Sequence, residues 1–277
     1  MNVLIPTDFS DNAWNAVRYA LSLLEEVTVT FHLLHVRIAT QADAGPEIQG
    51  NGVLIPTARK ATAVAQLQKL KQRMEQQFPN TRHSFATHVE NGFFIKEMRT
   101  QVVQLDIDLI IMGTKGASGI KKYTLGSNAG DVITKVKCPV LVIPEHAHYD
   151  TPKHIAFPTD FNLMYKDRML RTLGKIAKLH QATVHVVHVG AANDQLTDAQ
   201  QRNKGFLEDG LAGLTHSFHN CATEDLEEAI QKFVVKKQIH MIAMVAKNLN
   251  FFQRILFRPT VTKMSYHTEV PFLVLHE

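Results

Sequence analysis

One stretch of the chain has the residue types and spacing to hold a phosphate. Gly113-Thr114-Lys115-Gly116 is followed by nine residues and then by Gly126-Ser127. An apolar run, Ile107 to Met112 with Asp108 inside it, leads into the stretch, and a helical pattern begins near Asn128. Glycines let the main chain come close to an anion, and the N–H groups of a first helical turn donate to it. No Gly-Lys-Ser/Thr occurs, so this is not the P-loop form of such a cradle. Lys115 reads either as a cation beside the phosphates or as a solvated loop lysine. Lys121 and Lys122 read as surface charges.

A second candidate lies at the start of the chain. Pro6-Thr7-Asp8 follows the short apolar run Val3 to Pro6. A carboxylate there can accept from an exocyclic amine or a ribose hydroxyl. Asp8 can equally help to start the next helix, with Ser10 or Asp11 as its N-cap.

The arrangement Gly-x-x-Gly, nine residues, Gly-Ser resembles the ATP-binding signature of the universal stress protein family, and every specified position is matched. The resemblance implies that Pro6, Thr7 and Asp8 meet the adenosine part and that the main chain of Val36 meets the adenine edge. It implies that Met112 and Gly113 run along the ribose and first phosphate. Gly116, Gly126, Ser127 and Asn128 would then donate to phosphates, with Lys115 nearby. The implied ligand is ATP together with Mg²⁺; AMP is not distinguished from it.

The elements that must position these residues alternate strand and helix. Strands are expected at Val3–Pro6, Val27–Val36, His83–Val89, Ile107–Met112 and Val140–Ile143. Helices are expected over 11–25, 57–78, 92–104 and 127–136, the second burying Val64, Leu67, Leu70 and Met74. Such alternation predicts an α/β fold with a parallel sheet covered on both faces. Residues 37–55 form a polar connection longer than the ~12–15 residues usual for structureless loops, so a lid and a disordered segment are both open readings.

The pattern then repeats. Leu4-Ile5-Pro6-Thr7-Asp8-Phe9 returns as Ala156-Phe157-Pro158-Thr159-Asp160-Phe161, and Leu33-Leu34-His35-Val36 as Val186-Val187-His188-Val189. Cys138 to Ile143 is echoed by Val270 to Leu275. The chain is therefore read as a tandem duplication, with domains at 1–146 and 152–277 joined by a linker near 145–152. By the resemblance, each is a doubly wound, Rossmann-like five-stranded parallel sheet of order 3-2-1-4-5. Ligands of such sheets sit at the carboxyl ends of the strands, where the order reverses. Val140–Ile143 and Phe272–Leu275 are expected edge strands, and uncovered edges seek partners. Members of the family it resembles commonly dimerise through this last strand. The halves are accordingly expected to pair as an intramolecular pseudo-dimer, and a homodimer of whole chains stays open.

The second copy has lost the phosphate residues. Gly113 aligns with Val245, Gly116 with Asn248, and Gly126-Ser127 with Arg258-Pro259. A nucleotide is therefore expected in the first domain only. Phe251, Phe252, Arg254 and Arg258 either cover the empty crevice or hold a different anionic ligand.

Bulk properties exclude several classes. The net charge is +4 and charged residues make up 20%, with both signs interleaved, so no nucleic-acid surface is implied. No apolar run reaches the ~18 residues of a membrane span. Two cysteines, Cys138 and Cys221, read as buried reduced thiols, and no signal peptide is expected at the N-terminus, so the expected location is cytoplasmic. The 15 histidines lack any companion metal motif and read as strand or surface residues. No catalytic set emerges from spacing. The expected function is nucleotide-dependent sensing or regulation in a stress response. The rival is a slow ATPase or nucleotidyl transferase of the same α/β superfamily.

Overall fold

The computed structural model describes residues 1–37, 47–48, 54–55, 58–114, 126–165, 167–190, 195–222, 226–246 and 269–276. The first half runs β1 (Asn2–Pro6), α1 (Asp11–Leu23), β2 (Val29–Arg37), β3 (Glu47–Ile48), β4 (Leu54–Ile55), α2 (Ala58–Gln77), β5 (His83–Asn91), α3 (Phe94–Gln104), β6 (Leu109–Gly113), α4 (Ser127–Lys135) and β7 (Val140–Ile143). The second half runs β8 (His154–Thr159), α5 (Asp167–His180), β9 (Thr183–Gly190), α6 (Asp198–Leu211), β10 (His216–Ala222), α7 (Leu226–Lys237), β11 (Met241–Val245) and β12 (Phe272–Leu275).

The main strands form one ten-stranded sheet in the order β10-β9-β8-β11-β12-β7-β6-β1-β2-β5. Every neighbouring pair is parallel except β12 with β7, which is antiparallel and sets Leu273 opposite Leu141. Each half thus has strand order 3-2-1-4-5 once the small β3–β4 ribbon is set aside. Two expected edges have become the centre of the sheet. Their main-chain groups are paired, and all residues of β7 and β12 are buried.

Strand composition explains this depth of burial. Val3, Leu4 and Ile5 are fully buried, so consecutive residues face opposite apolar layers, as a parallel sheet covered on both sides requires. One layer combines α1, α2, α5 and α6 with Val3, Ile5, Leu33, Leu109, Leu141, Leu273 and their sheet neighbours. The other combines α3, α4 and α7 with Leu4, Leu34, Ile110, Val142 and Val274. Both cores run continuously across the two halves.

Polar contacts also cross the seam. His180 of α5 donates through Nε2 to the Leu23 carbonyl at the end of α1, at 2.9 Å. Lys175 lies 3.5 Å from Asp108. Asn15 holds the link between the halves, its amide donating to the carbonyls of Ala147 at 3.0 Å and Pro144 at 3.2 Å.

Several expectations are corrected. Helix α2 buries Ala63, Leu67 and Met74 with Leu70 partly covered, while Val64 is 42% exposed. Only the first position of the stripe differs: Ala63 and Val64 lie four and three residues before Leu67, both same-face spacings, and Ala63 is the one packed in the core. The 37–55 connection is not wholly irregular, since β3 pairs antiparallel with β4 inside it. Val27 lies before β2, and β5 extends to Asn91. Cys138 and Cys221 are both free thiols; burial pushes the Cys138 thiol up to about 12, whereas Cys221, expected to be buried, is only half-buried.

Candidate functional site

The crevice arises where β1 and β6 part. They are paired at Val3–Leu109 and Leu4–Ile110. Beyond that point each bonds outward. The Thr7 N–H donates to the Leu34 carbonyl of β2 at 2.9 Å, and the Thr114 N–H donates to the Ile143 carbonyl of β7 at 3.0 Å. The sheet therefore splits at the carboxyl ends of its two central strands, which is the position at which doubly wound sheets take ligands.

One wall of the split is the turn Thr7-Asp8-Phe9. Phe9 has φ +65°, a left-handed conformation that folds the chain sharply from β1 toward α1. Two side chains hold it. Thr7 Oγ1 accepts from the Phe9 N–H at 3.0 Å, and Asp8 Oδ1 accepts from the Ser10 N–H at 3.1 Å and its hydroxyl at 2.6 Å. Ser10 in turn caps α1 by accepting from the Ala13 N–H at 3.2 Å. Asp8 is exposed, and its Oδ1 serves the helix start. His35 braces the turn from β2. Its Nδ1 faces the Thr7 carbonyl at 2.8 Å, which fixes the proton on Nδ1, and its ring packs on Phe9 with centroids 4.6 Å apart. Phe161 (φ +55°) and His188 repeat this stacking in the second half, at 5.2 Å.

The other wall is Gly113-Thr114 and the start of α4. The Thr114 carbonyl accepts from the Gly126 N–H at 2.6 Å, which closes the base of the connection between them. That N–H is therefore engaged, and Gly126 can donate to a phosphate only by exchanging this bond. Helix α4 begins at Ser127 with Gly126 as an N-cap that offers no side chain. The first intrahelical bond is made by the Gly130 N–H, leaving the N–H groups of Ser127, Asn128 and Ala129 without intrahelical acceptors. Ser127 and Asn128 are exposed, and no acidic residue occupies the first turn. The positive end of this helix is thus open to an anion.

The remaining expected residues divide clearly. Pro6 is buried at the end of β1, and Val36 is half-buried near the end of β2. The Met112 side chain is packed in the core beside Ala129, so only its main chain can face a ligand. Lys115 and Gly116 lie outside the described residues, as do Phe251, Phe252, Arg254, Arg258 and Pro259.

One contact escaped the sequence reading. A Cβ on Gly113 would lie 2.9 Å from the amide carbon of Asn12, a buried residue in the first turn of α1. Glycine at 113 therefore makes room for Asn12 as well as for any ligand. Only the loss of this glycine in the second copy, as Val245, hinted at a steric role.

The counterpart turn of the second half is built alike, but its polar groups have internal partners. Thr159 Oγ1 accepts from the Phe161 N–H at 2.9 Å and is also hydrogen-bonded to the buried Tyr165 hydroxyl. Burial raises the Tyr165 phenol well above its ordinary pKa. Gln200 and Asn203 of α6 donate to the carbonyls of Asp160 and Phe161, at 2.9 and 2.8 Å.

Residues 1–144 match the sequence profile of the Universal stress protein family. A universal stress protein of Methanocaldococcus jannaschii is 30% identical over 141 residues, covering 51% of this chain and 80% of that protein. A second from the same organism is 26% identical over 156 residues, covering 51% and 93%. Among solved structures, a universal stress protein from Archaeoglobus fulgidus superposes with TM-score 0.69 at 17% identity, covering 99% of this chain and 97% of that one. A protein of unknown function from Pseudomonas aeruginosa superposes with TM-score 0.59 at 17% identity, covering 99% and 92%.

Proposed function

The chain belongs to the universal stress protein family, and from that premise we propose that it is a nucleotide-dependent regulator holding one adenine nucleotide, ATP with Mg²⁺, in its first half. The domains are those at 1–146 and 152–277, acting as an intramolecular pseudo-dimer through β7 and β12. The observation that carries this reading is the split of the sheet between Thr7 and Thr114, with the open first turn of α4 beside it. The ligand's adenosine end lies toward Asp8 and Val36, and its phosphates lie at Ser127, Asn128 and Gly113, with Lys115 and Gly116 completing the loop. The second half takes no nucleotide. Its counterpart turn is covered by Tyr165 and tied to α6, and Val245 stands where Gly113 stands in the first half.

Titration calorimetry with ATP and Mg²⁺ tests the reading. A stoichiometry near one per chain is expected; a value near two would show that the second crevice opens, and no binding would remove the nucleotide from the function.

A further inference from the structure

Four histidines of the second half stand in a row beneath α7, three on the neighbouring strands β8, β9 and β10 and the fourth just before β11. His154 Nδ1 lies 3.1 Å from His185 Nε2, and His185 Nδ1 lies 3.1 Å from His219 Nε2 and 3.0 Å from Ser217 Oγ. His240 Nδ1 accepts from the His154 N–H at 3.3 Å, and the two rings stack 5.8 Å apart. Phe233 of α7 closes the row from above, edge-on to His219 at 5.0 Å and to His185 at 6.0 Å.

The first half has the shorter version. His32 Nδ1 and His88 Nε2 are 3.1 Å apart. Where His154 opens β8, Asn2 opens β1; where His240 immediately precedes β11, Asp108 immediately precedes β6. The Asn2 N–H donates to Asp108 at 2.9 Å, as that of His154 does to His240. The second half has therefore exchanged an amide and a carboxylate for two more imidazoles. Among the described residues no three His, Cys, Asp or Glu are arranged to hold a metal ion. The row runs along the sheet rather than converging.

We propose that this histidine row is an acid-sensitive latch, which holds α7 and the edge strand β10 on the sheet while its rings are neutral and releases them when it is protonated. In a neutral row His185, with a histidine at each ring nitrogen, donates with one and accepts with the other. A proton added to His185 puts a cation in a buried site beside Lys237, and this opposes closure even where the ring can donate to both neighbours. A second proton on an adjacent ring sets N–H against N–H and breaks a contact.

The surroundings oppose charging. His185 is 6% exposed, and it faces His154 of β8, His219 of β10 and Lys237 of α7. Burial and then those neighbours hold its pKa down at about 4. His219 is lowered by burial and Lys237. Cys221, farther along β10, faces Lys236. Asp150 is the one carboxylate among these charged neighbours, and it acts on His240 at the end of the row. In the first half burial lowers both His32 and His88, and the Glu90 carboxylate offsets part of the shift on His88.

The sign follows from the depressed pKa. The unfolded or released segment binds the proton more readily, so closure is full above pH 6.5 and is lost as pH falls toward 4. With His185 at about 4 against an ordinary 6.5, moving from pH 7.5 to pH 5 shifts the closed-to-open ratio on the order of 30-fold.

Hydrogen–deuterium exchange on the full chain at both pH values, corrected for intrinsic rates, tests this. The expected result is a protection loss of that order in 216–222 and 226–237, with 94–104 and 83–91 far less affected. His185→Phe should abolish most of the difference. An equal loss in both halves, or an unchanged pH response in His185→Phe, would overturn the latch. Ring-nitrogen NMR of the wild type decides independently of any variant's folding. His185 must stay neutral at pH 6, and a cationic His185 there refutes the proposal.

Discussion

Ser127→Pro isolates the contribution of the helix terminus to nucleotide binding, because proline removes both an N–H and a hydroxyl without removing the helix. Ser127 is the first residue of α4, where the main-chain N–H has no intrahelical acceptor and proline's fixed φ suits the helix. The residue before a proline must be extended, and Gly126 already is, with φ −60° and ψ 149°. The second copy places Pro259 at the aligned position. Thermal stability should therefore change by less than about 1 kcal/mol. A hydrogen bond to a charged group contributes about 1.5–3 kcal/mol, and two such donors do not add fully. Loss of both should cost about 3 kcal/mol, a weakening of roughly 100-fold in Kd. Calorimetric titration with ATP and Mg²⁺ reads the change directly. A folded variant whose affinity falls by less than about threefold would show that the phosphates do not lie at this terminus.

Two further outcomes are expected. Gly113→Ala should destabilise the fold by about 1–3 kcal/mol, through the overpacking of a well-filled site, because its Cβ meets Asn12 at 2.9 Å. Combining it with Asn12→Ala should recover part of that loss in urea denaturation, and failure of the double variant to recover any would sink the steric account. ATP hydrolysis should stay well below ~1 s⁻¹ in a phosphate-release assay, since residues 117–125 contain no Gln, Glu or His to orient water. Turnover at or above that rate which Ser127→Pro removes would place the protein among enzymes.

Much of the architecture was legible because each unit obeys a local rule. Apolar runs of four to six residues bounded by turn residues became buried parallel strands, and the repeat of Pro-Thr-Asp-Phe marked where the order restarts. The helix face of α2 was misjudged by one residue, because Ala63 and Val64 satisfy the same periodicity and only packing against the sheet chooses between them. Residue type offered Ser10 or Asp11 as the cap of α1; the turn at Phe9 selects Ser10 and brings its hydroxyl to Asp8. The Asn12–Gly113 contact could not, as it joins residues about a hundred positions apart through the geometry of the split sheet. The histidines were dismissed for want of a metal motif. Their spacing within each strand is unremarkable, and the row exists only across strands, where register rather than sequence sets the neighbours.

The divergence of the halves follows from how each satisfies the polar groups at its split. An open crevice leaves carbonyls, hydroxyls and helix-end N–H groups to water or to a ligand, and burying them without partners would cost about 1–3 kcal/mol each. In the second half the partners are internal. Tyr165 covers Thr159, while Gln200 and Asn203 take the carbonyls of Asp160 and Phe161. On the proposed reading, a turn satisfied in this way offers less to a nucleotide, and Val245, which stands where the first half has Gly113, is buried in the core at 4% exposure. The seam then acquires its meaning. With β7 and β12 paired and both apolar layers continuous, the second half stabilises the edge and helices of the first whether or not it binds anything. Its sheet is free to carry groups that a ligand site would not tolerate. On the proposals made here, one half reads a nucleotide and the other reads protons, through a single sheet.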